Sequence, residues 1–183
     1  MPQRQAVQRS RRRLVAAAFH EAGHAVAAYH VKVRLRRIAI GGDAEHALGW
    51  LELWPPHAAA NGVPDLRTEN LVERSVIVLL AGAQAERVGV GRANYLGGSL
   101  DFYDAVQCAG YLCRTTEEIS AYLRWMQLRV RALVKSPTWQ EPIEALTKCL
   151  LQRGTLGARD ARAIIQRALP KDEARRSARR WST

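Results

Sequence analysis

His20, Glu21 and His24 are spaced as H-E-x-x-H within a run of helix-forming residues. Residues four apart lie on one face of a helix, so the two imidazoles can meet a single cation. Glu21 is rotated around the helix from them and can hold a water instead of the ion. A zinc ion lowers the pKa of such a water towards neutrality, which lets a carboxylate take its proton for attack on a scissile carbonyl. Glu21 can then return that proton to the leaving amine. Two histidines on the inner face of an apolar helix also need a partner to be buried at all, and a metal is one.

A catalytic zinc takes a third protein ligand and keeps one position open. His30 follows His24 by six residues, the spacing of the metzincins (H-E-x-x-H-x-x-G-x-x-H). However, Ala27 stands where the chain-turning glycine belongs, and six residues along an unbroken helix points away from the metal. His30 is therefore read as coincidental. Glu86 lies on a downstream helix, and Asp101 follows Gly97-Gly98-Ser99, read as a turn before a helix start, where free N–H groups favour an ionised carboxylate. Spacing alone does not choose between Glu86 and Asp101.

These residues need a frame. The sequence predicts a helix from about Arg11 to Tyr29, then strand-like alternation through Val31, Val33, Leu35, Ile38 and Ile40. Gly41-Gly42-Asp43 reads as a turn, and Leu48 to Trp54 as a second strand ending at Pro55-Pro56. Residues 61–64 read as a loop, with Asp65 capping a helix to about Val88 whose apolar stripe includes Leu71, Val72, Val76, Leu79, Leu80 and Ala83. Ser99 is placed to cap a helix to about Cys113. Thr115 and Glu118 have capping-box spacing before a helix burying Ile119, Leu123, Met126, Val130 and Leu133. Further helices run to Gly154, with Pro142 in the first turn or at a kink, and from Arg159 to Leu169. The fold class expected is mainly α with a small β-sheet (α+β), helical with one short antiparallel hairpin.

At 183 residues the chain suits one domain, and its 48% hydrophobic and 25% charged residues are those of an ordinary globular protein. No apolar run approaches the roughly 18 residues of a membrane span. Leu14 to Phe19, after a basic start, superficially resembles a secretion signal. It leads straight into the H-E-x-x-H residues and is read as mature sequence. Cys108, Cys113 and Cys149 form no C-x-x-C pair, so reduced thiols and a cytoplasmic location are expected. The net charge of +11 is concentrated in a basic arm over 1–13 and a basic tail over 170–183, flanking a domain over 14–169. Both ends are read as solvated, with nucleic-acid binding through them the sharper alternative.

The chain resembles the peptidase domain of FtsH-family AAA proteases. His20-Glu21-Ala22-Gly23-His24-Ala25 matches that family's zinc helix, and the run from Arg37 through Ala47-Leu48-Gly49-Trp50 to Pro55 is similar to its hairpin. Leu79-Leu80-Ala81-Gly82-Ala83-Gln84-Ala85-Glu86 is similar to its L-A-G-R-A-A-E-E helix, and Gly97-Gly98-Ser99-Leu100-Asp101 lines up with T-G-A-S-N-D. Leu100 and Gly97 depart from that last pattern, standing for asparagine and threonine. The likeness covers roughly residues 14 to 168.

The resemblance implies that Asp101 is the third zinc ligand and that Glu86 orients a ligand imidazole. It also implies that substrate adds as a strand near Leu48, Gly49 and Trp50. The sequence contains no phosphate-binding G-x-x-x-x-G-K-S/T loop. The expected activity is thus a zinc metalloendopeptidase acting on unfolded or flexible polypeptide, unless a separate partner delivers folded substrates. The competing function is a catalytically silent zinc-bearing interaction module.

Overall fold

Alanine, arginine and glutamine, all good helix formers, dominate the chain before His30. In the computed structural model, which describes residues 2–41, 50–53, 66–91 and 95–171, they form one helix, α1 (Pro2–His30). It starts nine residues before the expected Arg11, with proline at its first position, where a missing N–H costs nothing. The basic residues up to Arg13 are therefore helical. Helix α1 ends in a Schellman turn: Val33 N–H donates to Ala28 O at 2.8 Å and Lys32 N–H to Tyr29 O at 3.3 Å. Lys32 takes the left-handed conformation (φ 60°) usually given to glycine.

That turn consumes the first part of the expected strand. Only β1 (Leu35–Ala39) is extended, and it pairs antiparallel with β2 (Trp50–Leu53), Ile38 opposite Leu51 and Ala39 opposite Trp50. A register shift between Leu35 and Arg37 marks a bulge. On its other side β1 pairs antiparallel with β3 (Thr155–Gly157), giving the order β2-β1-β3. The third strand was not expected. It is three residues long and buries only Leu156, too little for an alternation signal. Within the Gly41-Gly42-Asp43 turn only Gly41 is described. Trp54 to Pro56, the 61–64 loop, the Asp65 cap and the tail from 172 onward lie outside the described residues.

Helix α2 (Leu66–Val90) is the centre of the molecule. It packs most extensively against α1, and also against α3 (Tyr95–Ala109) and α4 (Thr116–Val134). Val76, Val78, Leu80, Ala81 and Ala85 are all buried, along with Gln84 and Glu86. The second half is thus enclosed on several sides, not along one stripe, and Leu71, Leu79 and Ala83 are only half-buried. A helix surrounded by other helices loses its amphipathic pattern.

The expected turn at Gly97-Gly98-Ser99 is not present. These residues lie within α3, which begins at Tyr95 and ends at Ala109 instead of running to Cys113. Packing against α2 outweighs the low helix propensity of two adjacent glycines. Helix α4 follows expectation. Thr115 accepts from Glu118 N–H while the Glu118 carboxylate accepts from Thr115 N–H, closing the capping box. Leu123, Met126, Val130 and Val134 are buried, and Ile119 and Leu133 are half-buried. Helix α5 (Pro137–Arg153) carries Pro142 at its sixth residue, past the first turn, and α6 (Ala158–Ala168) follows β3. One core joins Val26, Ile38, Val76, Met126, Leu146 and Ile165 from α1, β1, α2, α4, α5 and α6, and α3 adds Ala105 and Ala109.

Candidate metal centre

The site lies where α1, α2 and α3 meet. Helix α1 supplies His20, Glu21 and His24, all buried despite their polarity. Helix α3 supplies Asp101, whose carboxylate oxygen Oδ2 lies 2.8 Å from His20 Nε2 and 3.2 Å from His24 Nε2. The ligand atoms of these three residues all fall within 4.8 Å of one another. Around a tetrahedral zinc with ligand bonds of 2.0–2.2 Å, neighbouring ligand atoms stand about 3.3 Å apart. The group is therefore of the size and chemistry that could hold such an ion.

The far sides of both imidazoles are already engaged. His20 Nδ1 is 3.3 Å from Glu86 Oε2, and His24 Nδ1–H donates to the Val78 carbonyl at 2.6 Å. Both partners come from α2. A ring whose Nδ1 carries the proton presents Nε2 as the free donor pair, so the two contacts fix the tautomer that ligation requires. Edge-to-face packing of the two rings, with centroids 4.6 Å apart, sets the remaining orientation.

Electrostatics follow from this burial. For His20, desolvation opposes the charged form, but hydrogen bonds to Asp101 and Glu86 outweigh it and push its pKa up to about 9. Burial likewise works against an ionised Asp101, yet the two imidazoles hold its carboxyl well below the usual carboxylate range. The helix-start dipole expected to do this is not involved, since Asp101 is the seventh residue of α3. Burial pushes the Glu21 carboxyl up, against the pull of His24 and His20. Its Oε2 is buried and accepts no hydrogen bond. An orphaned carboxylate oxygen next to a converging donor set is a group in need of a water or a proton.

His20, Glu21, His24, Glu86 and Asp101 are thus assembled from sequence positions up to 81 residues apart. Leu48 and Gly49 lie outside the described residues. Trp50 opens β2, at the edge of the sheet. His30 stands apart from the cluster, stacked on Trp139. Val78 was not anticipated, because it contributes through its backbone carbonyl and any residue type could do so. Among the described residues no helix is long and apolar enough to cross a membrane. Neither a protein-family model nor a curated protein matches the sequence of this chain.

Proposed function

We propose that the chain is a zinc-dependent metalloendopeptidase core of the FtsH type, acting on unfolded or flexible polypeptide. The observation that carries this reading is the convergence of His20 Nε2 and His24 Nε2 on Asp101 Oδ2, with the buried Glu21 on the adjoining helix position, its Oε2 accepting no hydrogen bond. An interaction module that used zinc only for structure would have no use for such a carboxylate. Structural zinc sites also close all four positions with protein ligands, usually including cysteine, whereas among the described residues two imidazoles and one carboxylate converge.

His20, His24 and Asp101 would hold the ion, and zinc bound there supplies a Lewis acid that activates a water and polarises the substrate carbonyl. Glu21 receives the proton of the attacking water at Oε2. When the tetrahedral adduct collapses, Glu21 passes that proton to the departing amine nitrogen. Glu86 and the Val78 carbonyl hold the two imidazoles in register throughout.

The test compares wild type with Glu21→Gln, both loaded with zinc, on casein. Wild type is expected to cleave it and Glu21→Gln to bind zinc equally while losing at least about 100-fold in rate, the usual range for a proton-transfer group. Equal residual cleavage by the two proteins would remove the catalytic assignment and leave the zinc-bearing module.

A further inference from the structure

Helices α1 and α2 approach closely, and two glycines sit at the crossing with different neighbours. A Cβ on Gly23 would meet Ala85 Cβ at 2.5 Å and the Ala81 carbonyl at 2.8 Å. Those atoms belong to the framework of α2, so Gly23 sets how near the helices lie. A Cβ on Gly82 would meet no framework atom first. It would fall against His24 Nε2, 2.6 Å from His24 Cε1 and 2.8 Å from His20 Nε2.

From this difference we infer that Gly82 is a positioning residue for the metal: its missing side chain leaves open the space into which both ligating nitrogens point. The inference rests on the proposed zinc site. A zinc ion stands about 2.0–2.1 Å from each ligand nitrogen, so a methyl group this close to both nitrogens competes with it for space. The imidazoles cannot yield freely. Any swing of His24 away from position 82 stretches its 2.6 Å bond to Val78 O, one helical turn back on the same helix, and any swing of His20 leaves Glu86. Neither escape keeps both Nε2 atoms on Asp101. The displaced atoms are nevertheless side-chain tips, so the fold itself can accommodate the methyl. Alanine also favours the helical backbone over glycine.

The experiment uses the full chain in three forms, wild type, Gly82→Ala and Gly23→Ala. Zinc content is measured after dialysis against a competing chelator, and thermal melting of the metal-free proteins is followed by circular dichroism. Gly82→Ala is expected to lose zinc affinity by more than about 100-fold, beyond the effect of losing an outer hydrogen-bond partner. Its metal-free melting temperature should stay close to that of wild type. Gly23→Ala is expected to melt earlier. A folded Gly82→Ala that binds zinc within a few-fold of wild type overturns the inference while leaving the zinc site standing. A Gly82→Ala that fails to fold overturns it too, since the glycine would then serve the crossing as Gly23 does. Failure of wild type itself to bind zinc overturns the metal reading and this inference together.

Discussion

His30 Nε2 lies 3.3 Å from the carbonyl oxygen of Thr138 and donates to it. Thr138 is four residues before Pro142, so this is the carbonyl that proline leaves without a helical donor. The ring also stacks flat on Trp139, centroids 5.0 Å apart and planes at 5°. His30 therefore mends a gap in α5 that the buried Pro142 creates. His30→Ala should keep its zinc and lose about 1–3 kcal/mol of stability, the cost of an unsatisfied part-buried acceptor. Asp101→Ala should lose zinc, together with the stability that its bonds to His20 and His24 give the metal-free fold. Metal analysis after dialysis, paired with thermal melts, reads both. Zinc lost from His30→Ala but kept by Asp101→Ala would reassign the third ligand.

Glu86 is 2% exposed and its contact to His20 is the only polar link the described structure gives it. Removing the carboxylate should act through the imidazole. Glu86→Gln is expected to weaken zinc binding about 10- to 100-fold, as losing the outer partner of a ligating histidine does. In the metal-free protein it should lower the His20 pKa from about 9, because the Glu86 bond is one of the contacts raising it. Histidine proton resonances followed through a pH titration would record that fall. An unchanged His20 titration would show that Asp101 alone sustains the shift.

Protons and metal compete for the same nitrogens. With its folded pKa near 9 and an ordinary value of 6.5, His20 stabilises the metal-free fold fully below pH 6.5. That contribution fades as pH rises through 9, by on the order of 3 kcal/mol. Asp101, held low, contributes above its ordinary value of 3.8 and loses its share only in strong acid. The metal-free protein should therefore lose stability between pH 6.5 and 9. Zinc affinity should rise over the same window, with close to one proton released from His20 for each zinc bound at pH 7.5. Calorimetry in buffers of different ionisation enthalpy counts that proton. Zinc uptake with no proton release would contradict the charge state assigned to His20.

The sequence made the ligand helix legible because helical periodicity alone brings His20 and His24 to one face. The Thr115–Glu118 box was legible for a similar reason, being a local pattern with a local cause. Asp101 was a different matter. Spacing left it level with Glu86, and only likeness to the FtsH family favoured it. Its local context was misread, since Gly97 and Gly98 signal a turn by propensity and are held helical by tertiary packing. The Val78 carbonyl and the Gly82 gap carry no side-chain signature towards the site. Both depend on how closely α2 crosses α1, a distance that only the folded packing sets.

The order β2-β1-β3 leaves the outer edge of β2 unpaired among the described strands. Trp50 starts that strand, and α1, which carries His20, Glu21 and His24, packs against both β1 and β2. A polypeptide bound as a further strand would use alternate backbone N–H groups, since successive ones point to opposite sides of a strand. Each such bond contributes about 1 kcal/mol, a factor near five in kcal-to-rate terms. A peptide cleaved by the zinc-loaded protein should therefore lose about fivefold in kcat/KM for each N-methyl group placed on one alternate set of positions near the scissile bond. Methylation at the intervening positions should have a smaller effect, and side-chain changes at the same residues should be tolerated. A flat response to methylation, with strong dependence on side chains, would mean that pockets and not the β2 edge select the substrate.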